Sequence, residues 1–207
     1  MKDIRVKLTF TEPILGTASA NPEIHSEYIA SKAPDAPSKE EEIAAIGAEE
    51  YEEKAMTVFP RNNEGIPILF DYQIKGFFKD ACSMLQKCRA GKGGKPEEFA
   101  KESCALKAYK KIIDGCIFVM ERQIPIELNG EMGNLQRPLR GQTAQGERIA
   151  LANSEKAPAG SSVEFTIRCL SDTYAPAVME WLNYGALRGI GQWRNGSYGR
   201  FEYKIIE

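Results

Sequence analysis

Ile4, Val6, Leu8 and Phe10 alternate with Arg5, Lys7 and Thr9, a period of two that predicts a half-buried strand close to the start of the chain. Residues 66–70 form a short apolar run. Asp71 follows as the expected N-cap of a helix over 72–87, where Ile74, Phe77, Phe78, Ala81 and Leu85 recur at helical spacing. A second helix is predicted over 96–113. Residues 116–120 and 123–128 read as strand broken by a kink and ending at the Asn129-Gly130 turn. Residues 147–151 and 162–170 read as further strands, the second with Val163, Phe165, Ile167 and Cys169 alternating with Glu164, Thr166 and Arg168. Val178, Trp181 and Leu182 place a helix over 173–184, and a last strand is expected over 198–206.

Two stretches interrupt this frame. Residues 12–60 are read as an insertion after the first strand. Asn21-Pro22 starts a predicted helix to about residue 32, and Ser38 with Glu41 forms a possible capping box for an acidic helix over 38–53. Residues 129–146, with four glycines and the run Arg137-Pro138-Leu139-Arg140, are read as a long loop. With these set aside, the order is strand, helix, strand, strand, helix, strand. The expected class is therefore α+β: a single domain over 1–207 with a ferredoxin-like (RRM-like) βαββαβ core, a long insertion after the first strand and an extra helix.

A chain of 207 residues can bury its own core, and 43% hydrophobic with 27% charged residues is an ordinary globular balance. The formal net charge of -2 argues against a basic coat, so any contact with nucleic acid has to come from a local patch. The five cysteines show no zinc-ligand spacing and lie far from His25, the single histidine, so no metal or other cofactor is expected. Buried reduced thiols, a first strand beginning at once after Met1 and no long apolar run together lead to the expectation of a cytoplasmic chain without a membrane partner. Residues 91–96 lack the Gly-Lys-Ser/Thr ending of a phosphate-binding P-loop, which excludes nucleotide hydrolysis of that type.

The chemistry concentrates in residues 185–201, where five of seventeen positions are glycine and Arg188, Arg194 and Arg200 alternate with Trp193 and Tyr198. Glycines this dense permit positive φ and close approach, so bare backbone N–H groups are expected to form an anion-binding surface; arginines offer planar charge for phosphate, and the rings offer faces for bases. The bland reading is a glycine-rich turn leading into the last strand. The Gly-Ile-Gly … Gly-x-x-Gly-Arg-Phe pattern over 189–201 resembles the C-terminal glycine-rich loop of the RAMP superfamily of CRISPR-associated RNA-binding proteins. Two more stretches are similar to motifs of that family and fall in its order: the helix opening Ile74-Lys75-Gly76-Phe77, and the strand entry over 157–167, in which Val163 replaces a phenylalanine.

The resemblance implies an RNA-binding protein like a CRISPR effector backbone subunit. It would hold single-stranded, guide-like RNA by its phosphates through the sheet face, Lys75, Arg137, Arg140, Arg188, Gly189, Gly191, Trp193, Arg194, Gly196, Tyr198, Gly199 and Arg200. Its partners would be other CRISPR-type subunits or further copies of itself. Two alternatives stand beside this. A solitary phage or mobile-element relative would mimic a subunit and inhibit a defence complex, in keeping with the acidic helix. A metal-independent ribonuclease would use His25, Tyr28 and Lys32, which share one face if 22–32 is helical; Asp35 offers a weaker match to a metal-using branch. The expectation is binding without catalysis.

Overall fold

The computed structural model describes residues 1–20, 56–91, 94–143 and 146–206. In chain order its elements are β1 (Lys2–Phe10), β2 (Ile14–Leu15), β3 (Ala18–Ser19), β4 (Thr57–Val58), β5 (Ile68–Phe70), α1 (Asp71–Leu85), α2 (Lys101–Ala105), α3 (Tyr109–Cys116), β6 (Ile117–Val119), β7 (Gln123–Glu127), β8 (Gly133–Thr143), β9 (Gly146–Ala157), β10 (Ser162–Cys169), α4 (Ala175–Arg188) and β11 (Phe201–Ile206). The alternation in β1 does what its pattern dictates. Ile4, Val6, Leu8 and Phe10 are buried, and the strand pairs antiparallel with β10 on one side and β11 on the other. The main sheet runs β11-β1-β10-β7-β5, with the short β6 also on β10. Since β6 and β7 act as one kinked strand, the four frame strands stand in the order fourth, first, third, second, with α1 and α4 as the two frame helices. This is the ferredoxin-like α+β arrangement.

The kink between β6 and β7 has a local cause. The carboxylate of Glu121 accepts from the Thr166 amide (2.7 Å) and hydroxyl (2.9 Å), replacing the ladder partners that the interruption removes. The core lies between the sheet and the apolar stripes of the helices: Ile74, Phe77, Phe78 and Leu85 of α1 meet Val178, Trp181 and Leu182 of α4. Phe201 meets Phe10 and Phe77 edge to face, at 6.5 and 5.4 Å. Trp181 satisfies its indole N–H on the Ser103 hydroxyl at 3.0 Å.

Three readings of the sequence need correction. Residues 133–143, expected in a long loop, form β8, which pairs through eleven positions with β9 in a long hairpin of the second sheet. Pro138 and two glycines concealed it, but among the described residues β8 pairs only with β9, and an edge strand tolerates a proline that donates nothing to a ladder. The predicted helix over 96–113 is two pieces, α2 and α3, separated by Ala108 in the left-handed region (φ 52°). Glu180 of α4 sets where α2 begins, because its carboxylate accepts from the Glu102 and Ser103 amides at 2.7 and 2.8 Å. Asp71 is the first residue of α1 rather than its cap; Phe70 takes the cap position, its amide donating to Gln73 Oε1 at 2.7 Å. The predicted helices over 22–32 and 38–53 lie outside the described residues. Among those described, no helix is long and apolar enough to cross a membrane.

Gly185 faces Phe201 so closely that a Cβ would stand 2.0 Å from the ring. Gly185→Ala should therefore cost about 1–3 kcal/mol through overpacking, although alanine is the better helix former by about 1 kcal/mol. Urea unfolding checks this, and a raised midpoint would show that the ring yields. Burial also pushes the Cys82 thiol up to about 12 and the Cys169 thiol up to about 11. A raised thiol pKa leaves almost no thiolate at pH 8. These two of the five cysteines should accordingly react with a thiol reagent only after denaturation, whereas reaction of all five in the native protein would contradict the packing described.

Candidate nucleic-acid interface

α4 ends at Gly189 (φ 74°), and the chain turns back on itself so that Ile190 donates its amide to the Gly199 carbonyl at 2.9 Å. Gly189, Gly196, Ser197 and Gly199 also spend their amides internally, on Gly185, Trp193, Arg194 and Pro13. The expectation of bare peptide nitrogens across the loop is corrected here: its glycines permit backbone-to-backbone contact, and they largely close the loop. Gln192 adds a side-chain bond to the Gly16 carbonyl. Gly191 is the loop glycine that borders open space.

The arginines are equally organised. Arg188 donates through Nε to Asp80 Oδ2 (3.1 Å) and through Nη1 to Asn195 Oδ1 (2.7 Å), and Arg194 donates through Nη1 to the same Asp80 oxygen (2.6 Å). Two guanidiniums thus share one carboxylate, leaving one net positive charge among side chains that are each less than a third exposed. Such a cluster keeps Coulomb attraction for an anion better than a solvated pair does. Arg200 is half-buried. Its carbonyl accepts from the Thr11 and Glu12 amides, and its buried Nε has no partner among the described residues.

Two stacks of rings and guanidinium stand near this cluster. Trp193, held in the left-handed region (φ 50°), lies 5.0 Å from Tyr198 with 15° between the rings, and the Arg137 guanidinium sits 4.3 Å from its centroid. Gly196 is needed beneath it, since a Cβ there would come within 2.7 Å of the indole. β8 therefore reaches the loop through Arg137; Arg140 lies in the same strand, its side chain outside the description. The other stack joins Phe70 and Tyr72, 5.3 Å apart at 15°, with Arg122 beside both and donating to Asp71 at 2.9 Å.

A groove of about 1020 Å³ is lined by both Arg194 with Asp80 and the Phe70–Tyr72 stack with Arg122. Thr17, Met56 and Thr57 wall it on one side, α1 on the other through Tyr72, Gln73, Gly76 and Asp80, and Gly191 with Arg194 close one part of its rim. Among the described residues its charged lining is Arg122, Arg194 and Asp80, which sum to +1. Lys75 is turned elsewhere, its Nζ over the Phe118 ring at 4.7 Å and bonded to the Asp114 carbonyl at 3.4 Å. Sequence reasoning missed Phe70, Tyr72, Asp80, Asn195 and Arg122. Adjacent aromatics flanking Asp71 were the available signal for the first two; the others gain meaning only from the tertiary contacts. His25, Tyr28, Lys32 and Asp35 lie outside the described residues.

The open face of the sheet, which the resemblance also offered to RNA, is a mosaic of ion pairs. Asp3 meets Arg168, Arg5 meets Glu164, and Lys7 meets Glu127 and Glu164. The hydrogen bond from Arg168 holds the Asp3 carboxyl below its ordinary value; those from Ser162 and Lys7 do the same for Glu127. Arg168 and Lys7 face a carboxylate directly across the strands and Arg5 reaches one diagonally, unlike the aromatic platform of sheet-binding RNA modules.

No family model matches the chain, and no curated protein matches it in sequence. Among solved structures it is similar to a chain in the cryo-EM structure of the Type III-B Cmr-beta complex bound to cognate target RNA, with a TM-score of 0.52 and 12% identity. The match covers 100% of this chain and 61% of that one, so the protein spans about three fifths of its neighbour's length. At this identity the likeness is one of fold, and it is the α+β fold to which the three ordered motifs pointed.

Proposed function

We propose that this protein binds single-stranded RNA in the groove between α1, β4 and the glycine-rich loop, as a non-catalytic subunit of a CRISPR-type complex. The observation that carries the reading is the groove itself. It is an open concavity whose described lining is net positive and includes the stacked Phe70–Tyr72 pair and Arg194, one of the two arginines that share Asp80. Phosphate contacts from Arg194 and Arg122 position a strand without reading its sequence, and rings beside them add sequence-tolerant contact area. The fold shared with a chain of an RNA-bound complex supports the same reading. The paired charges of the sheet face favour the groove over the sheet as the path of the strand.

Fluorescence anisotropy with a short unstructured RNA tests this. Three phosphate contacts give a slope of log affinity against log salt of roughly -2, at about 0.7 per phosphate. Arg122→Ala combined with Arg194→Ala should flatten that slope by about 1.4, two such contacts' worth, and weaken binding at low salt. No binding by the wild-type chain at low salt, together with tight association with a defence effector, would instead favour the inhibitory mimic.

A further inference from the structure

We infer that Tyr72 is the stacking platform for one unpaired nucleobase of the bound strand, with Arg122 placed beside it for the flanking phosphate. The inference rests on the RNA-binding reading and adds to it a base-binding position.

Helix phase explains why the ring is outside. The buried stripe of α1 is Ile74, Phe77, Phe78, Ala81, Cys82 and Leu85. Tyr72 precedes Ile74 by two positions, about 200° around the helix, so it cannot join that stripe. It is 53% exposed, a large ring left in solvent at the edge of a groove. One face is backed by Phe70, 5.3 Å away and nearly parallel. Arg122 does not cover the other. Its guanidinium carbon is 5.8 Å from the Phe70 centroid and 5.9 Å from that of Tyr72. A point equidistant from two stacked rings lies at their side; a group on the outer face of Tyr72 would be several ångströms farther from Phe70. Among the described residues the outer face is thus open, with the Arg122 cation at its margin.

The arrangement is preorganised. Asp71 donates its amide to the Arg122 carbonyl at 3.3 Å and accepts from its guanidinium at 2.9 Å, so the turn carrying Arg122 is fixed to the first residue of α1. Phe70 is fixed in turn by its amide bond to Gln73. A rigid ring with one open face and a neighbouring guanidinium matches a base and its phosphate, and little ordering remains to be done on binding. Trp193, at 42% exposure, does not offer the same: Tyr198 fills one face at 5.0 Å, which leaves the other to Arg137 at 4.3 Å.

The test measures affinities of wild type, Tyr72→Ala and Tyr72→Phe for a short unstructured RNA and for the same ribose-phosphate chain lacking bases. Stacking predicts a loss of roughly tenfold or more in Tyr72→Ala on the RNA, no comparable loss on the abasic chain, and retention in Tyr72→Phe. If Tyr72→Ala binds RNA as wild type does, or loses equally on both ligands, the base platform is overturned while RNA binding in the groove stands. If wild type binds neither ligand, both readings fall.

Discussion

A Cβ on Gly199 would stand 2.0 Å from the Ile190 carbonyl oxygen, and one on Gly189 would stand 2.5 Å from the Tyr198 carbonyl oxygen. Both glycines also have positive φ, near 70°. No side chain is compatible with this approach, and the approach makes the loop a closed clip. Its consequences run in both directions along the chain. Toward the C-terminus, Gly199 hands the chain to β11 in register with β1, with the Phe201 ring against Gly185. Toward the groove, the clip holds the short turn at 194–196 so that Trp193 and Arg194 leave it in fixed directions. A loop evolved only to be supple would not need to be tied to Pro13 and Gly16 as well.

The second constraint is electrostatic. The chain carries a net charge of -2, so a polyanion gains nothing from its average surface. Attraction has to be local, and the molecule separates its charges accordingly. On the open sheet face every acid of the mosaic has a basic neighbour across the strands. At the groove, Arg188 and Arg194 divide one carboxylate, and Arg122 pairs with Asp71. Asp80 keeps two like charges together at tolerable cost, and under the proposed reading the surplus is what a phosphate would meet.

The frame was readable because periodicity is a local property. The alternation in β1 and the stripes of α1 and α4 identify their elements and buried faces without any knowledge of neighbours, and the helix-loop-strand order was enough to suggest the α+β topology. The β8–β9 hairpin was not readable in the same way: Gly133, Pro138 and Gly141 erase the local signal, and the strand exists because β9 is there to pair with it. The start of α2 likewise depends on Glu180, nearly eighty positions later. At the site, the glycines and arginines of the loop stood out, but their use differs from the expectation, since backbone amides that a sequence presents as free are consumed by tertiary contacts. Tyr72 and Asp80 of α1 meet Arg122 and Arg194, from two later parts of the chain, only through packing. Lys75, one position in a promising motif, is directed to Phe118.

The most direct measurement of where a strand lies is photo-crosslinking of a 4-thiouridine RNA followed by peptide mapping. The groove account predicts cross-links on the peptides carrying Tyr72 and Trp193, suppressed by excess unlabelled RNA. Cross-links confined to β1 and β10, on the ion-paired sheet face, would contradict it.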